Sequence, residues 1–292
     1  MKPAPFEYYA PRSVSEVLSL LAEHGYDAKV LAGGQSLVPM MNFRLVQPSV
    51  VVDINQIPEL GVIEKNKKNL RLGAMVRHAE AESSPLVKEI APLIFDTMPQ
   101  IATTQIRNRG TIGGSLSHAD PSAELVVVTT ALEANFKIRK KGGERVIPAS
   151  DFFVGLLMTA MEPEELLVEV EIPPLPPRSG WSLQEVARRP HDFALVGVAA
   201  ILTLDRKDRC QSARLVYLSA GDGPVSAPEA AAMLVGEKIT PELTAAAADK
   251  AARDEIDPGS DIHATAEFRR HLANVLTRRA LEEAKQRAQD RK

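Results

Sequence analysis

Two short segments carry the residue types that bind phosphate. In the first, "LAGGQSLVPMMNFRL", Leu31 and Ala32 lead into Gly33 and Gly34, followed by Gln35, Ser36 and Leu37. The second, "RGTIGGSLSHADPSAEL", repeats that grammar further along: Thr111 and Ile112, then Gly113, Gly114, Ser115 and Leu116. Consecutive backbone amides in a glycine turn converge on one point, and without β-carbons nothing keeps the oxygens of an anion at a distance. Ser36, Thr111 and Ser115 add hydroxyl donors. A dinucleotide with one pyrophosphate bridge is a ligand that two such loops could grip between them. A glycine pair between a strand and a helix also serves simply as a tight turn, so the chemical reading hangs on the repetition.

Neither segment has the three-glycine spacing of a Rossmann fingerprint, and no Gly-Lys-Ser/Thr follows either pair. The elements around them nevertheless alternate as in an α/β unit. "SVSEVLSLLAEHG" predicts a helix capped by Ser13, with Glu16 in a capping box and Gly25 as the stop. "AKVLA" predicts a strand entering the first glycine pair, and "SVVVDI" a second strand buried on both faces. A further strand is expected at Leu70 to Leu72, with helices near Arg77 to Glu82 and from Leu86 to Met98. Pro121 to Leu132 predicts a helix with its proline in the first turn, and Gly142-Gly143 a hairpin tip. "ELLVEVEIP" alternates as a strand, after which "IPPLPPRSG" can continue neither helix nor central strand. Beyond it come three strand-like runs and a helix-rich remainder. The expected units are therefore residues 1–57, 58–175 and 178–285.

Composition narrows the classes. A net charge of -3, with one Trp, four Tyr and eight Phe, argues against nucleic-acid binding. The first residues lack the basic-then-apolar order of a secretory leader, and no apolar run reaches a spanning length, so a cytoplasmic protein without a membrane span is expected, either free or held at the inner face of the membrane through a complex. The single cysteine, Cys210, allows neither an internal disulfide nor an iron-sulfur cluster. The six histidines show no metal-binding spacing, so no metal is expected in this chain.

Taken together, "AGGQSLVPMMNFRL", "IATTQIRNRGTIGGSLSHADPSAEL", "EELLVEVEIP" and "QEVARRPHDFALVG" resemble the FAD-binding medium subunit of the molybdenum hydroxylases, the family of carbon monoxide dehydrogenase and xanthine dehydrogenase. The resemblance implies an α+β fold: a vanillyl-alcohol-oxidase-type (PCMH-type) FAD-binding domain of two α/β subdomains, plus a C-terminal domain with a three-stranded sheet and helices. It implies FAD in this chain, held by Leu31 to Leu37 and by Thr111 to Ser115 around the pyrophosphate and ribityl chain, with Ile101 and Ala102 against the cofactor. Glu124 takes the acidic position that the family usually fills with Asp, and Leu167 falls near the adenine or flavin ring. Asp192 and Phe193 fall beside the isoalloxazine, where the family often has Tyr in the second position; Gln184 stands where many relatives carry Lys. Gln35 stands where carbon monoxide dehydrogenases commonly show His, which favours an N-heterocycle over carbon monoxide as the substrate of the assembly.

The implied partners are a small subunit with two [2Fe-2S] clusters and a large subunit with the molybdenum cofactor, as a dimer of heterotrimers. Electrons would pass from the clusters through FAD to an external acceptor, and no catalytic acid, base or nucleophile is expected here. A stand-alone FAD oxidoreductase and a non-enzymatic nucleotide-binding scaffold are the competing readings. Single residues have plain uses too: Phe193 as core, Glu124 as a helix-dipole partner, Arg107 and Arg109 as solvated or as counter-charges, and His118 with Asp120 as loop residues rather than an acid/base pair.

Overall fold

In the computed structural model, which describes residues 1–291, the chain opens with β1 (Glu7–Tyr9), α1 (Val14–His24), β2 (Ala28–Leu31), α2 (Leu37–Asn42) and β3 (Val50–Asp53). The strands form a parallel sheet of order β1-β3-β2. Helix α1 starts where its capping sequence predicts: the Ser13 hydroxyl accepts the amide of Glu16 at 3.3 Å. The reciprocal half differs, because the Glu16 carboxylate takes the Arg12 amide at 2.9 Å rather than that of Ser13. Val14, Val17, Leu18 and Leu21 bury one face of α1 on the sheet, each worth about 1.5–3 kcal/mol of transfer free energy.

The second unit runs through β4 (Ile63–Asn66), β5 (Asn69–Gly73), α3 (His78–Ser83), α4 (Pro85–Ile90), α5 (Pro92–Thr97), α6 (Thr104–Arg107), α7 (Ile112–His118), α8 (Glu124–Ala131), β6 (Asn135–Lys140), β7 (Gly143–Pro148), α9 (Ala149–Phe152), β8 (Phe153–Gly155), β9 (Met158–Thr159) and β10 (Leu166–Ile172). Its sheet has the order β4-β5-β10-β6-β7, every pairing antiparallel. Strand β10 is a wall between two cores. Leu166 and Val168 belong to the N-terminal core, whereas Leu167, Val170 and Ile172 face the second.

Two helices depart from the sequence reading. The single helix expected from Leu86 to Met98 is broken at Ala91, whose φ of -124° and ψ of 62° are not helical; Pro92 has no amide to donate and crowds the residue before it. The helix expected from Pro121 begins only at Glu124, because the Asp120 carboxylate accepts the Ser122 amide at 2.8 Å and holds Pro121 in a separate turn.

The C-terminal unit contains β11 (Ser179–Ala187), β12 (Ala194–Leu204), β13 (Cys210–Leu218), β14 (Val225–Ser226), α10 (Pro228–Ala232), α11 (Pro241–Lys250) and α12 (Ala266–Asp290). The three expected strands are joined by a two-residue fourth, β14, in the antiparallel order β11-β12-β13-β14. All eleven residues of β12 are buried, since one face of the sheet packs on the second unit and the other on α10 to α12. Strand alternation decides which side chain goes where: Trp181, Leu183 and Glu185 share the face toward the second unit, and Ser182 and Gln184 the face toward α12. Polar contacts fasten the units, including Trp181 Nε1 donating to Asp96 at 2.9 Å and Ser219 Oγ to Ser122 Oγ at 2.8 Å.

Candidate functional site

Strand β2 delivers Leu31 and Ala32 to the edge of the N-terminal sheet, and the chain turns through Gly33 to Ser36 into α2. Among the described residues, no protein acceptor lies within hydrogen-bond reach of the amides of Gly33, Gly34, Gln35 and Ser36. Gly34 has a φ of +73°, the left-handed region that favours glycine, and this lets the turn curl. The Gln35 side chain folds back, donating to the Gly33 carbonyl at 3.0 Å. The Ser36 hydroxyl caps nothing and is free for a ligand. Four consecutive unengaged amides suit an anion such as a phosphate.

The second glycine pair is differently employed. Gly113 and Gly114 lie within the first turn of α7, capped by Thr111, whose Oγ1 accepts the Gly114 amide at 3.1 Å. Three more amides are also taken: Ile112 donates to Val76 O at 2.9 Å, Gly113 to Ala74 O at 2.8 Å, and Ser115 to Thr111 O at 3.0 Å, which leaves only the Thr111 amide of the segment without a protein acceptor among the described residues. This segment can offer a ligand the Ser115 hydroxyl, the remaining proton of Thr111 and the single Thr111 amide, but no run of amides of its own.

The absent β-carbons also have protein neighbours. A Cβ on Gly33 would lie 2.3 Å from the Arg109 carbonyl oxygen and 2.9 Å from Gly110 Cα, so the two loops touch backbone to backbone. One on Gly113 would meet Ala74 Cβ at 2.5 Å, and one on Gly114 would meet Thr111 Oγ1 at 2.6 Å and Ala32 Cβ at 3.6 Å. The glycines thus bring the loops together; of the two segments, only Gly33–Ser36 has a run of amides without protein acceptors among the described residues.

Around this junction the other expected residues scatter. Ile101 is buried, and Ala102 has a left-handed φ of 41°. Both are held by Arg107, whose Nη1 donates to their carbonyls at 3.0 and 2.9 Å while its other nitrogens pair with Glu82 at 2.8 and 3.2 Å. Arg107 is therefore a buried brace, neither solvated nor a phosphate counter-charge; Arg109 is exposed. Leu167 is packed inside the second core rather than lining an open cleft. Gln184 donates to Glu283 of α12 at 2.8 Å, on the sheet face turned away from the second unit. Phe193 is 71% exposed, which removes the core reading, and Asp192 accepts the Phe193 amide at 3.0 Å. His118 and Asp120 share no hydrogen bond, and Asp120 is occupied by Ser122.

Glu124 opens α8, and its carboxyl is pushed up to about 7, chiefly by burial and further by Asp120. Burial outweighs the lowering by the helix's own amide. Its counterpart is Glu185 on β11, pushed up to about 8 by burial and then by Glu124, with an Oε2 that has no partner. Sequence reasoning missed Glu185. The available signal was strand alternation, which puts an acidic residue on the same face as Trp181 and Leu183. A cleft of about 470 Å³ opens beside it, lined by Phe95, Gln100, Leu183, Gln184, Glu283 and Arg287 among others. The larger groove, about 770 Å³ between α9 and α10, includes no residue of either glycine loop.

Among the described residues, no group of three or more His, Cys, Asp or Glu side chains is placed to hold a metal, and no helix is long and apolar enough to cross a membrane. Cys210 is buried, its thiol pushed up to about 11 by burial.

Comparison with known proteins converges on one family. Residues 4–175 match the FAD binding domain in molybdopterin dehydrogenase, and residues 181–284 the CO dehydrogenase flavoprotein C-terminal domain. The chain is 41% identical to the 6-hydroxypseudooxynicotine dehydrogenase complex subunit alpha of Paenarthrobacter nicotinovorans, covering 100% of this chain and 98% of that one. Among solved structures, it superposes on quinoline 2-oxidoreductase from Pseudomonas putida 86 with a TM-score of 0.94 at 39% identity, over 99% of both chains. It superposes on carbon monoxide dehydrogenase from Hydrogenophaga pseudoflava with a TM-score of 0.95 at 37% identity, over 98% of this chain and 99% of that one. With both domain families present in order and the first glycine turn open to an anion, the chain belongs to the FAD-binding medium subunits of the molybdenum hydroxylases, and is an oxidoreductase flavoprotein subunit.

Proposed function

We propose that this chain carries electrons from [2Fe-2S] clusters of a small partner subunit, through its FAD, to an external acceptor, while a large partner subunit hydroxylates the substrate at a molybdenum cofactor. The observation that carries the reading is the run of unengaged amides from Gly33 to Ser36, set against the Arg109–Gly110 backbone. In this reading Leu31 to Leu37 hold the pyrophosphate, Thr111 and Ser115 add hydroxyls from the facing helix, and Ile101 and Ala102 form a wall. Phe193, on the exposed β11–β12 turn, is the ring available to cover the isoalloxazine. The flavin supplies the redox chemistry; the protein supplies position, field and exclusion of water.

Substrate choice then lies in the large subunit. The relatives named for 6-hydroxypseudooxynicotine and quinoline, together with Gln35 in place of His, favour an N-heterocyclic or related substrate over carbon monoxide. We place the assembly in the cytoplasm as a dimer of heterotrimers.

The test is an absorption spectrum of the purified chain, release and identification of any yellow ligand, and purification of its complex. About one FAD per chain, reduced by substrate only when the iron-sulfur and molybdenum subunits are present, is the expected result. A colourless chain that takes up no added FAD overturns the reading. Bleaching by a substrate in the isolated chain would replace electron relay with a stand-alone oxidoreductase.

A further inference from the structure

Arg77 caps α3 at the seam between the two loops. Its Nη1 donates to the Arg109 carbonyl, the same oxygen that Gly33 approaches, and its Nη2 donates to Asn55 Oδ1 at 2.5 Å. Asn55 in turn donates from Nδ2 to the Ala32 carbonyl at 2.8 Å. One chain of hydrogen bonds therefore runs from the carbonyl just before Gly33, through Asn55 and Arg77, to the carbonyl just before Gly110. The chain is anchored on both sides. Asp53 Oδ1 accepts the Asn55 amide at 2.8 Å and its Nδ2 at 2.6 Å, and Asp53 Oδ2 accepts the Tyr8 hydroxyl at 2.6 Å. Around Arg77, its own amide donates to Glu80 at 2.8 Å, and His78 donates to the Gly110 carbonyl at 3.0 Å.

We propose that Arg77 and Asn55 are positioning residues: a clamp that sets the gap between the loops and thereby the tightness with which FAD is held. This rests on the reading that FAD lies between both loops. The unengaged amides are carried by the first loop and the Ser115 and Thr111 hydroxyls by the second, so a ligand touching both depends on their separation. A planar guanidinium suits the task, because it reaches two acceptors in fixed directions from one side chain. Lysine presents a single nitrogen and spans them poorly.

The experiment compares the full chain with Arg77→Met, Arg77→Lys, Asn55→Ala and the double variant, reading the FAD dissociation constant and release rate by flavin fluorescence beside the melting temperature of the FAD-free protein. Arg145→Met serves as the control, since it breaks an ion pair with Glu165 (2.7 Å) that has no residue in either loop. The expected result is FAD binding weakened at least tenfold in Arg77→Met and Asn55→Ala, partial retention in Arg77→Lys, and a double variant no worse than the worse single one. The weakening should exceed that in Arg145→Met at matched loss of melting temperature. Wild-type affinity in Arg77→Met, or weakening no greater than in the control, overturns the clamp while leaving the FAD reading intact. Failure of the wild-type chain to bind FAD overturns both. Should Arg77→Met not fold, Asn55→Ala decides alone, because it keeps the Arg77–Arg109 contact and removes the Asn55 side-chain links to Arg77, Asp53 and Ala32.

Discussion

The two glycine pairs are spelled almost alike and are built for different work. At Gly33-Gly34 the backbone is irregular, one residue takes a positive φ, and the amides stay free. At Gly113-Gly114 the backbone is helical, a threonine caps it, and the amides are spent on Ala74, Val76 and Thr111. Both need glycine, yet mostly because backbone or a neighbouring side chain lies where a β-carbon would go. A repeated motif therefore need not be a repeated site: one copy presents donors, and the other is the surface against which the first is seated.

Substitutions can break that contrast in order of size. Gly113→Val should cost the most fold stability, about 3 kcal/mol or more, because Ala74 lies in its way and overpacking has nowhere to relax; a chemical melt that moved less than about 1 kcal/mol would show the helix yielding instead. Gly34→Ala should cost about 1–2 kcal/mol for its left-handed backbone, and should weaken FAD binding beyond that stability loss, as a flavin titration at matched temperature would reveal. If affinity is unchanged, the free amides are not the grip.

pH separates the regions next, because only the second segment runs on toward a titrating pair. Glu124 and Glu185 have carboxyls raised to about 7 and about 8, so the fold favours their protonated forms. Their contribution to stability is complete below about pH 4.5, the ordinary glutamate value, and is lost as pH rises through 7 and 8. The melting temperature of the FAD-free chain should fall between pH 6 and 8.5, and Glu185→Gln should flatten that fall. An unchanged slope in the variant would mean that Glu185 is not desolvated in solution. The smallest contrast is in the caps. Thr111→Val should lose about 1 kcal/mol with its bond to the Gly114 amide, whereas Ser36→Ala, which breaks no cap, should change fold stability by less than about 0.5 kcal/mol.

Much of this was legible in the sequence where the cause is local. Ser13 and Gly25 mark the ends of α1, alternation marks β10, and the glycine pairs marked both loops. Legibility stopped where the deciding partner is distant in the chain. Nothing near Gly113 announces Ala74, and nothing near Glu124 announces Glu185. Two local signals were also misweighted. Pro92 splits a helix whose apolar pattern runs straight through it, and Asp120 captures Ser122 before α8 can begin. Arg107 read as solvated or as a counter-charge because Glu82, with which it pairs, lies on another helix.

Gly180 has a bearing on how the molecule is made. A β-carbon there would lie 1.8 Å from the Ala284 carbonyl oxygen and 2.5 Å from the Ala288 nitrogen, so the start of β11 is pressed directly onto α12. The ribosome releases that strand about a hundred residues before the helix that covers it. The first two units can collapse around their own cores during synthesis, while the β11–β12 part of one face of the C-terminal sheet waits bare until α12 emerges. Frameshifts or premature stops ahead of residue 266 would thus leave an unsheltered apolar sheet, a substrate for chaperones and proteases rather than for assembly.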